Sequence, residues 1–221
     1  MEYRLMSRRQ HARRESGFTL VELAISITII GLLLVSVIKG QALIRSAEVD
    51  AVLSNYRDIS AAVRAFKGRY QYLPGDFPVD ATTPEIAGVS AACLRGGGNG
   101  GDGNGRIDAN ATLDESVCVA EHLIRAGFLM GDPAAGLASQ FGVIRVVRLA
   151  DSATQQSRTT AALSLMPTSV THVVELSQLP CEVAKAIDLK LDDGNLNTGS
   201  VLASVSSCTS GNVPFMAIPL Q

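Results

Sequence analysis

The stretch Gly17-Phe18-Thr19-Leu20-Val21-Glu22-Leu23-Ala24-Ile25-Ser26-Ile27-Thr28-Ile29-Ile30-Gly31-Leu32-Leu33-Leu34-Val35-Ser36-Val37-Ile38 decides how the rest of this chain is read. From Phe18 onward it holds one charge, Glu22. As a helix, a run of about 21 residues spans roughly 30 Å, the thickness of the hydrocarbon core of a bilayer. Ahead of it stand Arg4, Arg8, Arg9, Arg13 and Arg14 against only Glu2 and Glu15. Arginines on one flank hold that flank in the cytoplasm, so everything after Lys39 is expected to be exported. A carboxylate five residues into such a run costs a few kcal/mol or more and marks Glu22 as a functional residue.

Outward from that stretch, composition limits the alternatives. The 221 residues are 47% hydrophobic and 18% charged, enough for one packed domain and an extra element. Removing residues 1–17 takes the net charge from −2 to −5. Nucleic-acid binding depends on Lys and Arg neutralising phosphates, so nucleic acid is not the expected partner. The four cysteines, Cys93, Cys118, Cys181 and Cys208, all follow the apolar run, where an oxidising compartment favours disulfides. Three pairings are formally possible. Neighbour pairing, Cys93 with Cys118 and Cys181 with Cys208, is expected because each closes a short loop.

A secretory signal peptide would have a shorter apolar core and a small-residue cleavage site after it, which is missing beyond Ile38. A plain signal-anchor explains length and charge but not Glu22. The segment Gly17-Phe18-Thr19-Leu20-Val21-Glu22 resembles the processing site of type IV prepilins and of the pseudopilins of type II secretion. That resemblance implies a leader of residues 1–17, cleavage between Gly17 and Phe18 by the prepilin peptidase, and N-methylation of Phe18. It places Glu22 at the fifth mature position. Cleavage creates an α-amine on Phe18, and a buried Glu22 requires a cation to offset its desolvation. Glu22 is therefore expected to act in assembly, pairing with the Phe18 amine of a neighbouring subunit.

Beyond Lys39 the apolar pattern changes rather than stops. Ala42, Val49, Val52, Leu53, Tyr56, Ile59, Val63, Phe66 and Tyr70 recur at three- and four-residue steps, the signature of one buried helical face. No proline interrupts residues 18–70, and Gly68 with Pro74-Gly75 supplies the stop. One helix of about 50 residues, roughly 75 Å long, is predicted. Residues 18–39 form its membrane or fibre-core part and residues 40–70 its amphipathic part. Many pilins carry a helix-breaking proline near the position of Lys39; this chain has none there, although Gly31 and Gly40 are weak points.

Residues 71–221 form the expected exported domain. Tyr72-Leu73-Pro74-Gly75-Asp76-Phe77-Pro78 is a turn signal, followed by a loop-rich stretch to about Leu113. A helical patch is read at Glu115–Leu129 and a short helix opened by Pro180 at Cys181–Leu191. Strands are read at Phe141–Leu149, Thr159–Met166, Val170–Leu176 and Val201–Ser206. The fold class is α+β: a long N-terminal helix packed on a C-terminal antiparallel sheet, pilin-like. The YLPGDFP turn, the Gly/Asn/Asp-rich loop and the stretch Ala186-Ile187-Asp188, Asp192-Asp193-Gly194, Thr198-Gly199 resemble segments of a subgroup of pilin-like proteins. Cys181 and Cys208 resemble the disulfide-closed C-terminal loop of many pilins.

The glycine-rich loop has two readings. The plain one is a flexible surface loop. The other is calcium binding, with Asp102, Asn104 and Asp108 as candidate oxygen ligands at alternate positions. Against it, Arg106 stands among those ligands, and no Glu occupies the twelfth position of an EF-hand alignment. No catalytic motif is present, and His122 and His172 read as structural residues.

The expected function is a structural one: a major or minor pilin or pseudopilin of a type IV pilus or type II secretion filament. Its partners are then other subunits, the prepilin peptidase, an inner-membrane assembly platform, and lipid before assembly. It would sit in the inner membrane with a periplasmic domain, then in a pilus or periplasmic filament. The alternative is a non-polymerising, membrane-tethered periplasmic domain that binds a ligand or acts as an enzyme.

Overall fold

The computed structural model describes residues 17–82, 84–160, 165–167 and 169–220. The expected leader, apart from Gly17, lies outside the described residues. By contact density the chain divides into two units, one ending at Ile44 and one running from Arg45 to Gln221.

Helix α1 runs from Leu20 to Tyr70, 51 residues with no break at Gly31, Lys39 or Gly40. Its N-terminus is set locally. Thr19 precedes the first helical residue, and its Oγ1 accepts a hydrogen bond from the backbone N–H of Glu22 at 3.2 Å. Thr19-Leu20-Val21-Glu22 has the Thr-x-x-Glu spacing of a capping box, and this bond is half of one. Glu22 also places a negative charge in the first helical turn, where the helix dipole favours it.

In the second unit the helix buries a stripe: Val49, Val52, Leu53, Tyr56, Ile59, Ala62, Val63 and Phe66. These residues lie at the predicted spacing, with Ala62 added. Ala42 departs from it, being exposed in the first unit. The stripe packs into one core with residues of the sheet and of α2 (Cys118–Arg125), among them Leu123, Val174, Leu176, Met216 and Ile218. The Tyr56 hydroxyl donates to the Pro219 carbonyl at 2.8 Å, so its one polar atom is satisfied.

The sheet is antiparallel with five strands, β1 (Leu137–Ala138), β2 (Val143–Arg148), β3 (His172–Pro180), β4 (Leu202–Ala203) and β5 (Asn212–Pro219), in the order β1-β2-β3-β5-β4. The α+β class with a long helix and a C-terminal antiparallel sheet is therefore what the chain adopts. Helix α4 (Cys181–Leu191) starts immediately after Pro180, at the predicted bounds. Two ion pairs join it to α1, Arg45 with Glu182 at 3.5 Å and Lys190 with Asp50 at 2.7 Å. All four side chains are well exposed, so these pairs contribute little stability.

Four expectations change. The helical patch read at Glu115–Leu129 becomes a 3₁₀ turn at Glu115–Val117 followed by α2, which ends at Arg125. Residues 159 and 160, read as the start of a strand, instead end helix α3 (Ala153–Thr160); residues 161–164 of that predicted strand lie outside the described residues. The cause is a cap: the Ser152 hydroxyl accepts from the Gln155 N–H at 3.1 Å, and Glu175 accepts from the Thr154 N–H at 2.6 Å. These two bonds satisfy N–H groups that the first turn of a helix leaves free. The strand read at Val201–Ser206 shortens to β4. And β5, the strand between β3 and β4, was not anticipated.

The disulfides join Cys93 to Cys118 and Cys181 to Cys208. The first links the 3₁₀ turn Ala91–Cys93 to the start of α2; the second links the start of α4 to the loop before β5. A crosslink closing a loop of about 25 residues stabilises a fold by about 3 to 4 kcal/mol in the chain-entropy account.

Candidate processing and assembly site

Gly17 and Phe18 precede α1 in chain without regular structure, and Phe18 is 82% exposed. A peptidase needs such a segment, because a peptide bond inside a helix has its backbone groups engaged. The cap at Thr19 starts the helix after the Gly17–Phe18 bond rather than across it. Glu22 is exposed. Its backbone carbonyl accepts from the Ser26 hydroxyl at 2.7 Å, and Ser36 and Thr28 return their hydroxyls to the helix backbone in the same way. Those bonds let three polar side chains sit in an apolar helix without an unsatisfied donor.

From Leu20 to Ile44 no helical residue is buried within the chain. Leu20, Leu32, Leu33 and Ile38 are among the large apolar side chains left uncovered. This is the one helix among the described residues that is long and apolar enough to cross a membrane. A continuous exposed apolar surface of this size is the kind that marks a membrane or protein interaction surface.

Within the second unit the chemistry-bearing residues serve structure. His122 is fully buried, its Nδ1 accepting from the Gly75 N–H at 3.0 Å, and its ring stacks on Phe66 with centroids 6.2 Å apart. Burial lowers its pKa to about 4. His172 Nε2 accepts from the Ile107 N–H at 3.1 Å, and burial, with Lys67 nearby, lowers its pKa likewise to about 4. Both imidazoles are neutral acceptors for loop backbone at neutral pH.

The glycine-rich loop is more built than its composition suggests. Gly100 and Gly101 are buried. A Cβ on Gly101 would stand 2.2 Å from the Asp76 carbonyl, and one on Gly100 only 1.8 Å from the Leu94 carbonyl oxygen. These glycines allow close backbone approach. Of the residues read as oxygen ligands, Asp108 pairs with Arg148 at 3.2 Å. The Asn104 amide nitrogen donates to both Asp102 (3.0 Å) and Asp108 (2.9 Å). Two carboxylates that sequence reading missed, Asp76 and Glu115, gather with Asp102 instead. Burial, then the neighbouring Asp76 and Asp102, push the Glu115 pKa up to about 7, against two backbone N–H bonds that hold it down. The signals were present in the PGD turn and in the Asp114-Glu115 pair, but nothing in the spacing of residues 76 and 115 brings them together.

The irregular junction, the capped start and the uncovered helix are consistent with a membrane-anchored N-terminus on a pilin-like α+β architecture. Residues 12–38 match the family described as the prokaryotic N-terminal methylation motif. The chain therefore carries a prepilin-type methylation motif, with Gly17, Phe18 and Glu22 inside the matched span. Comparison with curated proteins and with solved structures found no match.

Proposed function

We propose that this protein is a structural subunit of a type IV pilus or type II secretion filament, processed by the prepilin peptidase and polymerised through α1. One observation carries the reading: the methylation motif lies in register with a helix whose first 25 residues have no cover within the chain. Cleavage between Gly17 and Phe18 gives Phe18 an α-amine, and methylation to a secondary amine keeps it cationic. In the lipid the uncovered helix is an anchor, with the second unit on the periplasmic side. In the filament the same helix packs against its copies. Both surroundings are apolar, so the transfer costs little hydrophobic energy and an assembly motor at the inner membrane can drive it.

Glu22 supplies the register. Among packed apolar helices an unpaired carboxylate is costly, and the Phe18 amine of a neighbour neutralises it. Assembly is then favoured in the alignment that brings the two together. The second unit coats the core and presents its disulfide-closed C-terminal loop outward. Its role is mechanical and recognitional rather than catalytic.

N-terminal sequencing of the mature protein should find N-methylated Phe18, and Glu22→Val should retain processing while losing nearly all assembled fibres. An intact Met1, or a cut beyond Ile38, would favour a membrane-tethered domain that does not polymerise; normal fibre yield from the variant would overturn the role given to Glu22.

A further inference from the structure

The glycine-rich loop and the turn after α1 build a site that the assembly reading neither needs nor explains. One carboxylate oxygen from each of Asp76, Asp102 and Glu115 lies within 4.8 Å of the other two. Asp76 and Glu115 are both fully buried, and Asp102 is exposed at the mouth. Calcium at 2.3–2.6 Å from its ligands bridges oxygens up to about 5 Å apart, so the spacing fits one ion.

Two further observations point to a ligand. Asp76 Oδ2 accepts from the Gly105 N–H at 3.0 Å, whereas Asp76 Oδ1, also buried, has no hydrogen-bond partner among the described residues. A carboxylate oxygen withdrawn from water without a partner is costly, and it belongs to a fully buried side chain that contributes an oxygen to the three-acid cluster. Both Glu115 oxygens face backbone donors, which favour the charged form against the burial that disfavours it: Oε1 accepts from the Asp102 N–H at 3.1 Å and Oε2 from the Asp108 N–H at 2.9 Å. A neutral acid would have to turn an O–H toward one of those donors. No basic side chain forms an ion pair with Asp76, Asp102 or Glu115 among the described residues; Arg148 serves Asp108 and Asp151, and Arg145 serves Asp114.

The surroundings are rigid. Asp102 and Glu115 lie inside the loop closed by the Cys93–Cys118 disulfide, and Gly101 lets that loop press on the backbone of Asp76. Ligands fixed in advance lose little entropy on binding.

We infer that Asp76, Asp102 and Glu115 form a calcium site that locks the glycine-rich loop onto the turn following α1. The donors are all hard oxygens, with neither His nor Cys, which disfavours zinc and copper. Calcium is preferred over magnesium because three protein carboxylates and a partly open mouth suit a large, irregular coordination shell. Magnesium holds its waters and demands a near-ideal octahedron. The inference does not depend on polymerisation and would stand for a tethered domain as well.

The test uses the full chain in detergent micelles, with calcium chloride, magnesium chloride or EDTA as the probe. Titration calorimetry should give about one calcium per chain. Saturating calcium, at a hundred times its dissociation constant, should raise the melting temperature by roughly 5 to 10 °C over EDTA. Asp76→Asn should abolish that rise. Because Asp76 is buried and its variant can misfold, Asp102→Asn is the second arm: this exposed change should keep the EDTA melting temperature within about 2 °C and weaken calcium binding at least tenfold. No heat and no shift in the wild-type chain would overturn the site. So would an undiminished calcium response in Asp102→Asn, and an equal response to magnesium would overturn the assignment of calcium.

Discussion

The two parts of α1 share one secondary structure and differ in everything that touches it. From Leu20 to Ile44 apolar side chains occur on all sides of the helix and none is buried; from Arg45 to Tyr70 apolar residues form one stripe, and that stripe is buried. Periodicity explains the second part, because a single face can be satisfied by a sheet packed against it. Its absence explains the first, because a helix apolar all round needs an apolar solvent or copies of itself. Residues that look interchangeable in composition therefore have different parts: one set stabilises the fold, and the other, on the proposed reading, the assembly.

That contrast can be broken by truncation. Phe66→Ala should lower unfolding free energy by about 3 to 5 kcal/mol, since the ring is fully buried among Tyr70, Phe77, His122 and Phe128. Leu32→Ala, in the uncovered part, should change the melting of the domain by less than about 0.5 kcal/mol while reducing fibre yield. Denaturant titrations of the two variants in detergent, with fibre counts beside them, check both. A large loss of domain stability in Leu32→Ala would end the distinction.

Disulfide removal asks whether the second unit holds itself together without the first. The pair Cys181→Ser and Cys208→Ser should cost about 3 to 4 kcal/mol, seen as a lower urea midpoint with the helical content of α1 preserved. Arg158→Met probes the same unit at a smaller scale. This side chain is fully buried on α3 and donates to the carbonyls of Leu196, Asn197 and Ala203, and to the side-chain oxygen of Asn197. Its loss should cost about 2 to 3 kcal/mol and raise hydrogen exchange in residues 196–203 ahead of the rest.

Acid sharpens the comparison last, because the strongly shifted groups lie in the second unit. His122 and His172 titrate near 4 in the fold against 6.5 when free, so stability is lost as pH falls from about 6.5 toward 4. Asp188 has the opposite sign. Burial, then Asp193 and Asp192, raise it from 3.8 to about 6, so it contributes stability at low pH that is lost as pH rises through that window. Asp188→Asn should therefore raise the melting temperature at pH 7 by roughly 3 °C and steepen the decline between pH 6 and 4. A melting profile unchanged in shape would refute the sign assigned to Asp188.

Legibility followed the range of the forces. The long helix, the apolar run, the stripe and α4 could all be read, because each rests on periodicity or on a local stop such as Pro180. Strand β5 could not. Pro214 and Pro219 argue against a strand, yet β5 pairs with β3 on one side and β4 on the other. The ladder skips the position of Pro214, which lies opposite Gln178, itself at φ 57°, and resumes at Val213 with Leu179. The end of α3 was misread because β-branched composition outweighed Ser152-Ala153-Thr154-Gln155, a capping signal in plain view. The methylation motif was legible, since its register is local; the acidic cluster was not, since residues 76, 102 and 115 meet only when the loop folds back.

By itself the sequence carried the membrane-length apolar run, the arginines ahead of it, the methylation motif that includes Gly17 and Phe18, and the face of α1 that a domain must cover. Those are consequences of charge order, run length and helical period, all of which act between near neighbours. Only the tertiary structure decided that Asp76 and Glu115 share a buried site with Asp102, that Arg158 ties α3 to the loop of residues 196–203, and that β5 lies between β3 and β4. Each depends on chain segments far apart in sequence, brought together by burial of one common core.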